Sequence, residues 1–355
     1  MTPPGPTPVT VVMVTHRSAD LVGPVLDALL SDPVGPAEVI VVDSASPDAT
    51  VEVVRARGVR IIERADNIGF AAGCNLAVAQ ATQPYVALLG HDTTPEHGWL
   101  PPLLAALDEQ SVGAAMATIA QSARPDRFNT SGGHLGYHGL AWVSDLDEPI
   151  PPDEPGPVDV AFPSGAAMAM RTELWRRFEG FREDLFMYHE DVDLGWRLRL
   201  AGMRTVRVPA SRVLHDYDFD RSPDKMYWLE RNRRRLLAAN WRPSTRVMLW
   251  PALVAVEAGI TVVAIRDGWF AHKRRAWRDT QGRRDVHAAA RRRVERIRTQ
   301  GDSVLLASMD SAISSMTQVR APRGAGLVDG ILEAYRRMVL PVVRVLDRRA
   351  GFPVG

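Results

Sequence analysis

Residues 9–44 read VTVVMVTHRSADLVGPVLDALLSDPVGPAEVIVVDS, and this stretch decides the fold. VTVVMVTH (9–16) is a continuous apolar, β-branched run of the length a buried strand needs. Ala19 to Leu30 then carries its apolar residues at helical spacing, and EVIVVDS (38–44) is a second buried strand. Strand, amphipathic helix and strand in this order specify a right-handed βαβ crossover and a parallel sheet.

Working outward, the same alternation continues. Thr50 to Arg57 reads as a helix, VRIIER (59–64) as a strand, Gly73 to Gln80 as a helix and YVALLG (85–90) as a strand. The expected fold class is α/β, a Rossmann-like, mostly parallel sheet flanked by helices. The segment from about Gln121 to Pro157, with GGHLGYHG at its centre, reads as loops with short strands. VDVAFPSGAAMAMR (158–171) returns to a strand, and Thr172 to Phe178 reads as a helix with Thr172 as its N-cap. Asp191 to Ala201 is a helix with acids at its start and Arg197 and Arg199 near its end, as the helix dipole favours, and TVRVPASRVLH (205–215) is a late strand.

Beyond Trp241 the pattern changes. VMLWPALVAVEAGITVVAI (247–265) is long and apolar, but Pro251 interrupts it and Glu257 sits near its middle, so it reads as a buried or interfacial helix rather than a spanning one. Three regions follow: a flexible lead-in (1–8), a catalytic domain (9–241) and a helical C-terminal extension (242–355), membrane-peripheral or oligomerising.

At 355 residues, 46% hydrophobic and 24% charged, the composition is that of a globular chain able to bury a full core. The net charge of +1 hides a local excess, because Arg266 to Arg298 holds twelve Lys or Arg against four Asp or Glu. The single cysteine, Cys74, excludes an internal disulfide and a multi-cysteine zinc site, so a reducing, cytoplasmic setting is expected. MTPPGPTP lacks the charged and apolar regions of a signal peptide.

Carboxylates at the C-terminal ends of parallel strands point into the crevice where such folds bind ligands. Asp43, ending the second strand, and Asp92, following the fourth, hold those places. Asp43 also suits an Asx turn, and Asp92 also suits a helix N-cap. A carboxylate at Asp92 can ligate a hard divalent cation that holds donor phosphates. Glu190, Asp191 and Asp193 open a helix, which capping alone would favour; a buried acid beside a second acid also has the raised proton affinity of a general base. Residues two apart on a helix diverge, so Asp191 and Asp193 have separate tasks. His215, at the end of its strand, is either a hydrogen-bonded structural residue or a metal ligand.

Six blocks in order, VTVVMVTHRSADLVGPVLDALL, EVIVVDSASPDATVEVV, ADNIGFAAGCNLAVA, YVALLGHDTTPEHGWL, FPSGAAMAMRTELWRRFEGFREDLFMYHEDVDLGWRLRLAG and LERNRRRLL, resemble the family 2 glycosyltransferases of GT-A fold, most closely their bacterial rhamnosyltransferase-like branch. The resemblance spans roughly Val9 to Trp241. It implies an inverting, nucleotide-sugar-dependent transferase acting on a saccharide or lipid-linked cell-envelope glycan. It implies that Thr15 and Asp43 contact the nucleotide, with Asn67, Gly69, Ala71, Gly73 and Asn75 forming the loop and helix start against the donor, and His91 beside them. By the same resemblance Asp92 and His215 hold a divalent metal, Mg²⁺ or Mn²⁺, Asp191 is the base with Glu190 beside it, and Ser164, Gly165 and Ala166 line the acceptor side. The family's usual Asp-X-Asp stands here as Gly90-His91-Asp92, and its Thr-Tyr-Asn as Thr15-His16-Arg17. The implied partners are a dTDP- or UDP-sugar and a polyprenyl-diphosphate-linked or other glycan acceptor.

A dehydrogenase is excluded by the lack of G-x-G-x-x-G after the first strand. A catalytically silent sugar-nucleotide-binding or scaffold protein is the alternative of a different class, resting on the altered Gly90-His91-Asp92. No nucleic-acid-binding motif accompanies the basic run Lys273, Arg274, Arg275, Arg278, Arg283, Arg284, Arg291, Arg292 and Arg293. Beside an apolar helix, that run implies salt-sensitive attachment to an anionic inner leaflet.

Overall fold

The structure, a computed structural model, describes residues 5–216, 224–313 and 325–353. The first four residues of the lead-in lie outside the described residues. The described chain divides into two compact units: the first draws on residues 1–133, 143–195 and 204–218, the second on 134–142, 196–203 and 219–355. The boundary expected at Trp241 therefore falls inside the second unit, whose first long helix ends at Asn240.

In the first unit, the chain runs β1 (Thr7–Thr15), α1 (Ala19–Ser31), β2 (Pro36–Ser44), α2 (Thr50–Arg55), β3 (Arg60–Arg64), α3 (Gly69–Ala79) and β4 (Tyr85–Leu89). There follow β5 (Thr93–Pro95), α4 (Leu100–Leu107), β6 (Val112–Gln121) and β7 (Phe128–Thr130); the hairpin of β8 (Gly133–Leu135) and β9 (Ala141–Val143) that comes next in the chain belongs, through residues 134–142, to the second unit. The first unit continues through β10 (Val158–Asp159), β11 (Ala167–Arg171), α5 (Thr172–Arg177), the start of α6 (Glu190–Leu200) and β12 (Arg204–His215).

The large sheet has the order β10-β12-β6-β11-β4-β1-β2-β3, with β5 and β7 paired to β12 and β6. Pairs β1/β2, β1/β4, β2/β3 and β6/β12 are parallel, and β11 lies antiparallel between β4 and β6. The mostly parallel α/β sheet read from the sequence is this one. β1 is buried at every position but one because helices cover both faces, which is why its apolar run does not alternate.

Three local readings change. The strand expected over 158–171 is two short strands, since Pro163 has no amide to donate and Ser164-Gly165-Ala166 forms a turn, with the Ala167 amide donating to the Ser164 carbonyl at 3.3 Å. Thr172 lies inside α5 rather than capping it, and its hydroxyl donates to the Gln83 carbonyl at 2.8 Å. β6, VGAAMATIAQ, is a long buried strand that the sequence reading passed over, because its four alanines disfavour strand by propensity and only burial on both faces overrides that.

The second unit contains α7 (Lys225–Asn240), α8 (Pro243–Arg266), α9 (Phe270–Thr280), α10 (Arg284–Ile297), α11 (Asp302–Ser308) and α12 (Ala325–Arg349). Trp196 and Trp241 pack edge to face with ring centroids 5.0 Å apart, and Trp241 Nε1 donates to the Tyr137 carbonyl at 3.0 Å. Pro251 sits within α8 without ending it. Glu257, the acid in that apolar run, faces inward and meets Arg233, Arg234, Lys273 and the Trp277 indole. Lys273, expected in a solvent-facing basic run, is instead fully buried between Glu230 at 2.5 Å and Glu257 at 3.0 Å. A lysine this deep requires both carboxylates, because an unpaired buried ammonium costs several kcal/mol.

Candidate active site

The parallel strands β1 to β4 end together at Thr15, Ser44, Arg64 and Leu89, and their order reverses at β1, which has β2 on one side and β4 on the other. Open α/β sheets bind ligands in the crevice outside such a switch point.

On the β1/β2 side, Thr15 Oγ1 donates to Asp43 Oδ1 at 2.9 Å. The Ser46 amide donates to Asp43 Oδ2 at 2.9 Å and its hydroxyl to Oδ1 at 2.5 Å. Asp43 thus folds its own turn, and both its side chain and Thr15 are buried. Ser44 Oγ donates to Asn67 Oδ1 at 3.1 Å and accepts from the Ile68 amide at 2.9 Å, which fastens the end of β2 to the start of α3. Asn67 Oδ1 also accepts the Gly69 amide at 3.0 Å. At Gly69 φ is +79°, and a β-carbon would lie 2.6 Å from the Phe186 carbonyl oxygen, so only glycine fits.

Ala71 and Gly73 are buried, and Gly73 leaves no room for a side chain against Val14, so these two shape α3 rather than present a group to a ligand. Asn75 is a clamp. Its amide nitrogen donates to the Phe181 carbonyl at 2.9 Å and to Glu183 at 3.0 Å, and its oxygen accepts the Phe181 amide at 2.9 Å. His91 Nδ1 lies 3.3 Å from the Val14 carbonyl, at the end of β1.

Beyond β4, Asp92 and His215 come together because β5 pairs antiparallel with β12 in a register that sets Thr93 opposite His215. His215 Nε2 lies 3.4 Å from Asp92 Oδ1, and the Asp216 amide donates to the Asp92 carbonyl at 2.9 Å. His215 Nδ1 is 3.1 Å from Asn129 Oδ1.

The acid pair opens α6. Asp191 Oδ2 accepts the Gly165 amide at 3.1 Å and Oδ1 accepts the Val192 amide at 2.7 Å. The same turn accepts from the end of β4, through the Gly90 amide and the Ala166 carbonyl at 2.8 Å. Ser164, Gly165 and Ala166 therefore connect the base candidate to the turn after β4 that carries Asp92. Burial raises the proton affinity of Asp191, and the two amides oppose that rise. Glu190 is buried with Oε2 lacking a hydrogen-bond partner; burial first, then the charges of Asp191 and Asp193, push its carboxyl well above the usual range. Asp193 turns away to the buried Arg182 at 3.3 Å, as the two-residue spacing requires.

The approach to this pair is strained. Phe186 has φ 68° and ψ −65°, with the Met187 amide donating to the Leu185 carbonyl at 2.8 Å, a γ-turn of the rare form. Tyr188 and His189 follow at φ 64° and 68°. The Ala71 amide donates to the Phe186 carbonyl at 3.1 Å, so the first turn of α3 holds the loop that leads to Glu190. Strain of this kind persists where surrounding contacts over-determine it, and it clusters at functional sites. Neither this turn nor the roles of Asn129 and Asn75 left a mark in the sequence, since each depends on partners distant along the chain.

Residues 10–177 match the profile described as glycosyl transferase family 2. Residues 10–177 carry a domain of this family. Its fold and blocks agree with the resemblance drawn from the sequence. Over 182 residues the chain is 31% identical to the pre-mycofactocin glycosyltransferase of Mycobacterium tuberculosis, covering 50% of this chain and 37% of that one. It is 31% identical over 207 residues to the N-acetylglucosaminyl-diphospho-decaprenol L-rhamnosyltransferase of the same organism, covering 51% of this chain and 66% of that one. The chain thus spans well under half of the first relative's length. Among solved structures, GalNAc-T7 with UDP, GalNAc and Mn²⁺ aligns at TM-score 0.56 and 15% identity, over 66% of this chain and 48% of that one. S. aureus TarS 1–349 aligns at TM-score 0.51 and 16% identity, over 97% and 91%. At these identities the likeness is one of fold, the GT-A fold.

Among the described residues no group of three or more His, Cys, Asp or Glu gathers to hold a metal. Asp92 and His215 nonetheless fit a divalent cation of this family. A carboxylate oxygen and an imidazole nitrogen 3.4 Å apart are both ligand types for such an ion, and these two residues would hold it.

Proposed function

We propose that this chain transfers a sugar from a nucleoside-diphosphate donor to an acceptor hydroxyl with inversion at the anomeric carbon. The observation that carries the reading is the Ser164-Gly165-Ala166 turn, hydrogen-bonded at one end to Asp191 and at the other to Gly90, which follows β4 and leads to Asp92. It fixes a base relative to a counter-charge for the leaving group.

Asp191 takes the proton from the acceptor hydroxyl. The oxygen forms its bond to the anomeric carbon as the bond to the diphosphate breaks, and the electron pair leaves with the diphosphate. An ionised carboxylate has about four acceptor sites, and Asp191 commits two of them to Gly165 and Val192, so a site remains for the proton. Its raised proton affinity brings it nearer to working pH, where a general base is most effective. Thr15, Asp43 and the start of α3 frame the nucleotide, with Asn67 and Gly69 setting the loop. Asp92 and His215 would hold Mg²⁺ or Mn²⁺, which supplies positive charge to the departing diphosphate.

The proposed donor is a dTDP- or UDP-sugar, rhamnose among the candidates, and the proposed acceptor a cell-envelope glycan, polyprenyl-diphosphate-linked or free. The work would take place in the cytoplasm, at the inner face of the membrane. The named relatives support this reading: one acts, by its name, on a decaprenol-linked N-acetylglucosamine and transfers L-rhamnose. The test is a thermal-shift screen across nucleoside-diphosphate sugars with Mn²⁺, followed by transfer assays with the binders. One donor should raise the melting temperature, since a ligand at a hundred times its Kd adds ~2.7 kcal/mol. Binding of a donor without its turnover on any glycan acceptor would leave a sugar-nucleotide-binding protein instead.

A further inference from the structure

The second unit exposes an apolar surface that its own core does not use. Of the twelve exposed large hydrophobic residues among those described, five lie on α8 and six on α12. On α8 the exposed positions recur at helical spacing, with Val247 at 65%, Trp250 at 63%, Val254 at 45%, Val262 at 66% and Ile265 at 61% exposure. On α12 they include Leu327, Ile331, Met338 and Val342. The two helices touch, with the Tyr335 hydroxyl donating to the Met248 carbonyl at 2.7 Å, so the two stripes belong to one pair of helices. Exposed apolar residues gathered on one pair of helices, rather than scattered singly, mark an interaction surface.

The two ordinary reasons for a long apolar helix fail here. A core helix is mostly buried, whereas 22% of the apolar stretch of α8 is buried; a signal sequence lies near the N-terminus, whereas α8 begins at Pro243. A spanning helix fails too. Glu257 binds α8 to Arg233 and Lys273, so immersion of α8 on all sides would carry that ion cluster into hydrocarbon. Glu257, three residues past Val254, is the one charged residue from Val247 to Ile265, and its carboxylate is taken up by Arg233, Lys273 and the Trp277 indole with the side chain 23% exposed. Around the stripe the sign is one-sided: the exposed charged residues of α8, α9, α12 and Asp267 are seven arginines against two aspartates. A helix pair with an apolar outer face and a basic border matches the chemistry of an anionic lipid surface, acyl chains below and headgroup phosphates at the edge.

We infer that the α8–α12 face is a membrane-docking surface, entering the headgroup region of an anionic leaflet with both helices in its plane. This deepens the membrane setting proposed above and rests on it. It relocates the contact, because the run from Lys273 to Arg293 is partly spent inside the unit: Lys273 is buried, and Arg291 donates to the Ala238 carbonyl at 2.9 Å.

The test is sedimentation of the full chain with vesicles of phosphatidylcholine containing 30% phosphatidylglycerol, as a stated probe composition of about one anionic lipid in three. Three variants are compared with the unaltered protein: Val254→Asp with Val262→Asp on α8, Ile331→Asp with Met338→Glu on α12, and Arg274→Glu with Arg278→Glu on α9. The α8 and α12 variants should each lose at least about tenfold in vesicle partitioning, and the α9 variant only about two- to threefold, mostly at low salt. Because all six positions are exposed, circular dichroism and melting temperature should match those of the parent. Partitioning that survives both apolar-face variants overturns the proposal. A lipid-free dimer that the α8 and α12 variants break, without vesicle binding by the parent, also overturns it and assigns the face to a second copy. Vesicle binding requires neither donor nor acceptor, so this outcome and that of the transfer assay are read separately.

Discussion

The Gly165 amide donates to Asp191 Oδ2 at 3.1 Å, and this one bond sets where the base candidate points. The donor is backbone, so a side-chain change cannot delete it but can displace it. A β-carbon at Gly165 would lie 3.2 Å from the Phe70 ring and 3.7 Å from Asp191 Oδ2. Gly165→Ala should therefore shift the turn by a few tenths of an ångström. We expect kcat to fall about threefold to thirtyfold, with donor affinity within twofold and stability lowered by less than about 1.5 kcal/mol. Steady-state kinetics beside a nucleotide titration checks this; a loss confined to donor KM would mean that the turn belongs to the donor side.

Asp92 and His215 should act together on the donor. Asp92→Ala and His215→Ala are each expected to weaken nucleoside-diphosphate binding at least about tenfold in the presence of Mn²⁺, and chelation should weaken the parent to a similar level. Asn129→Ala, which frees the imidazole to turn, should cost about tenfold through metal affinity. Calorimetry with and without chelator measures all four. Equal nucleotide affinity in chelator and in Mn²⁺ would show that Asp92 and His215 hold each other and no metal.

Glu190 should make the fold pH-sensitive. Its carboxyl is raised in the folded chain, so the folded state keeps a proton that the unfolded state releases above its ordinary value of about 4.3. Stability from this group is fully present below that value and is lost as pH rises toward the folded one. Glu190→Gln removes the loss. The melting temperature of the parent should fall relative to that of Glu190→Gln between about pH 5 and pH 8, with the variant the more stable at the upper end. Parallel melting curves across that range would mean that Glu190 is ionised and compensated.

Asn75 divides a binding role from a clamping one. Its three hydrogen bonds hold Phe181 and Glu183, next to the strained turn at Phe186. Asn75→Ala should lower stability by about 1–3 kcal/mol by leaving the Phe181 backbone groups unpaired, with a smaller effect on donor affinity. Denaturant unfolding and a donor titration on the same preparation check it. Unchanged stability with a tenfold loss of donor affinity would return Asn75 to the donor pocket.

The sheet was legible because β1, β2 and β4 are apolar runs that need two covered faces, and a run of that kind has few alternatives. β6 was not, since alanine signals burial only after its neighbours are known. Within the site, Asp92, His215, Glu190 and Asp191 were readable as acids and a histidine at element ends. Their partners Asn129 and Gly165 were of two kinds: Gly165 lay in a recognisable block, whereas Asn129 sits in FNT, a short strand with no pattern of its own. The tail misled in a physical way. Residue type marked Lys273 as surface charge, and only the inward turn of Glu257 from an apolar helix made burial affordable.

The most direct measurement is single-turnover transfer by Asp191→Asn, beside its donor affinity. An amide cannot take the acceptor proton, yet it keeps the shape that Gly165 and Val192 hold. The account predicts a rate lower by about 10²–10⁴-fold, with the donor Kd within about threefold of the parent's. Transfer persisting within about tenfold of the parent would contradict it and remove Asp191 from the role of base.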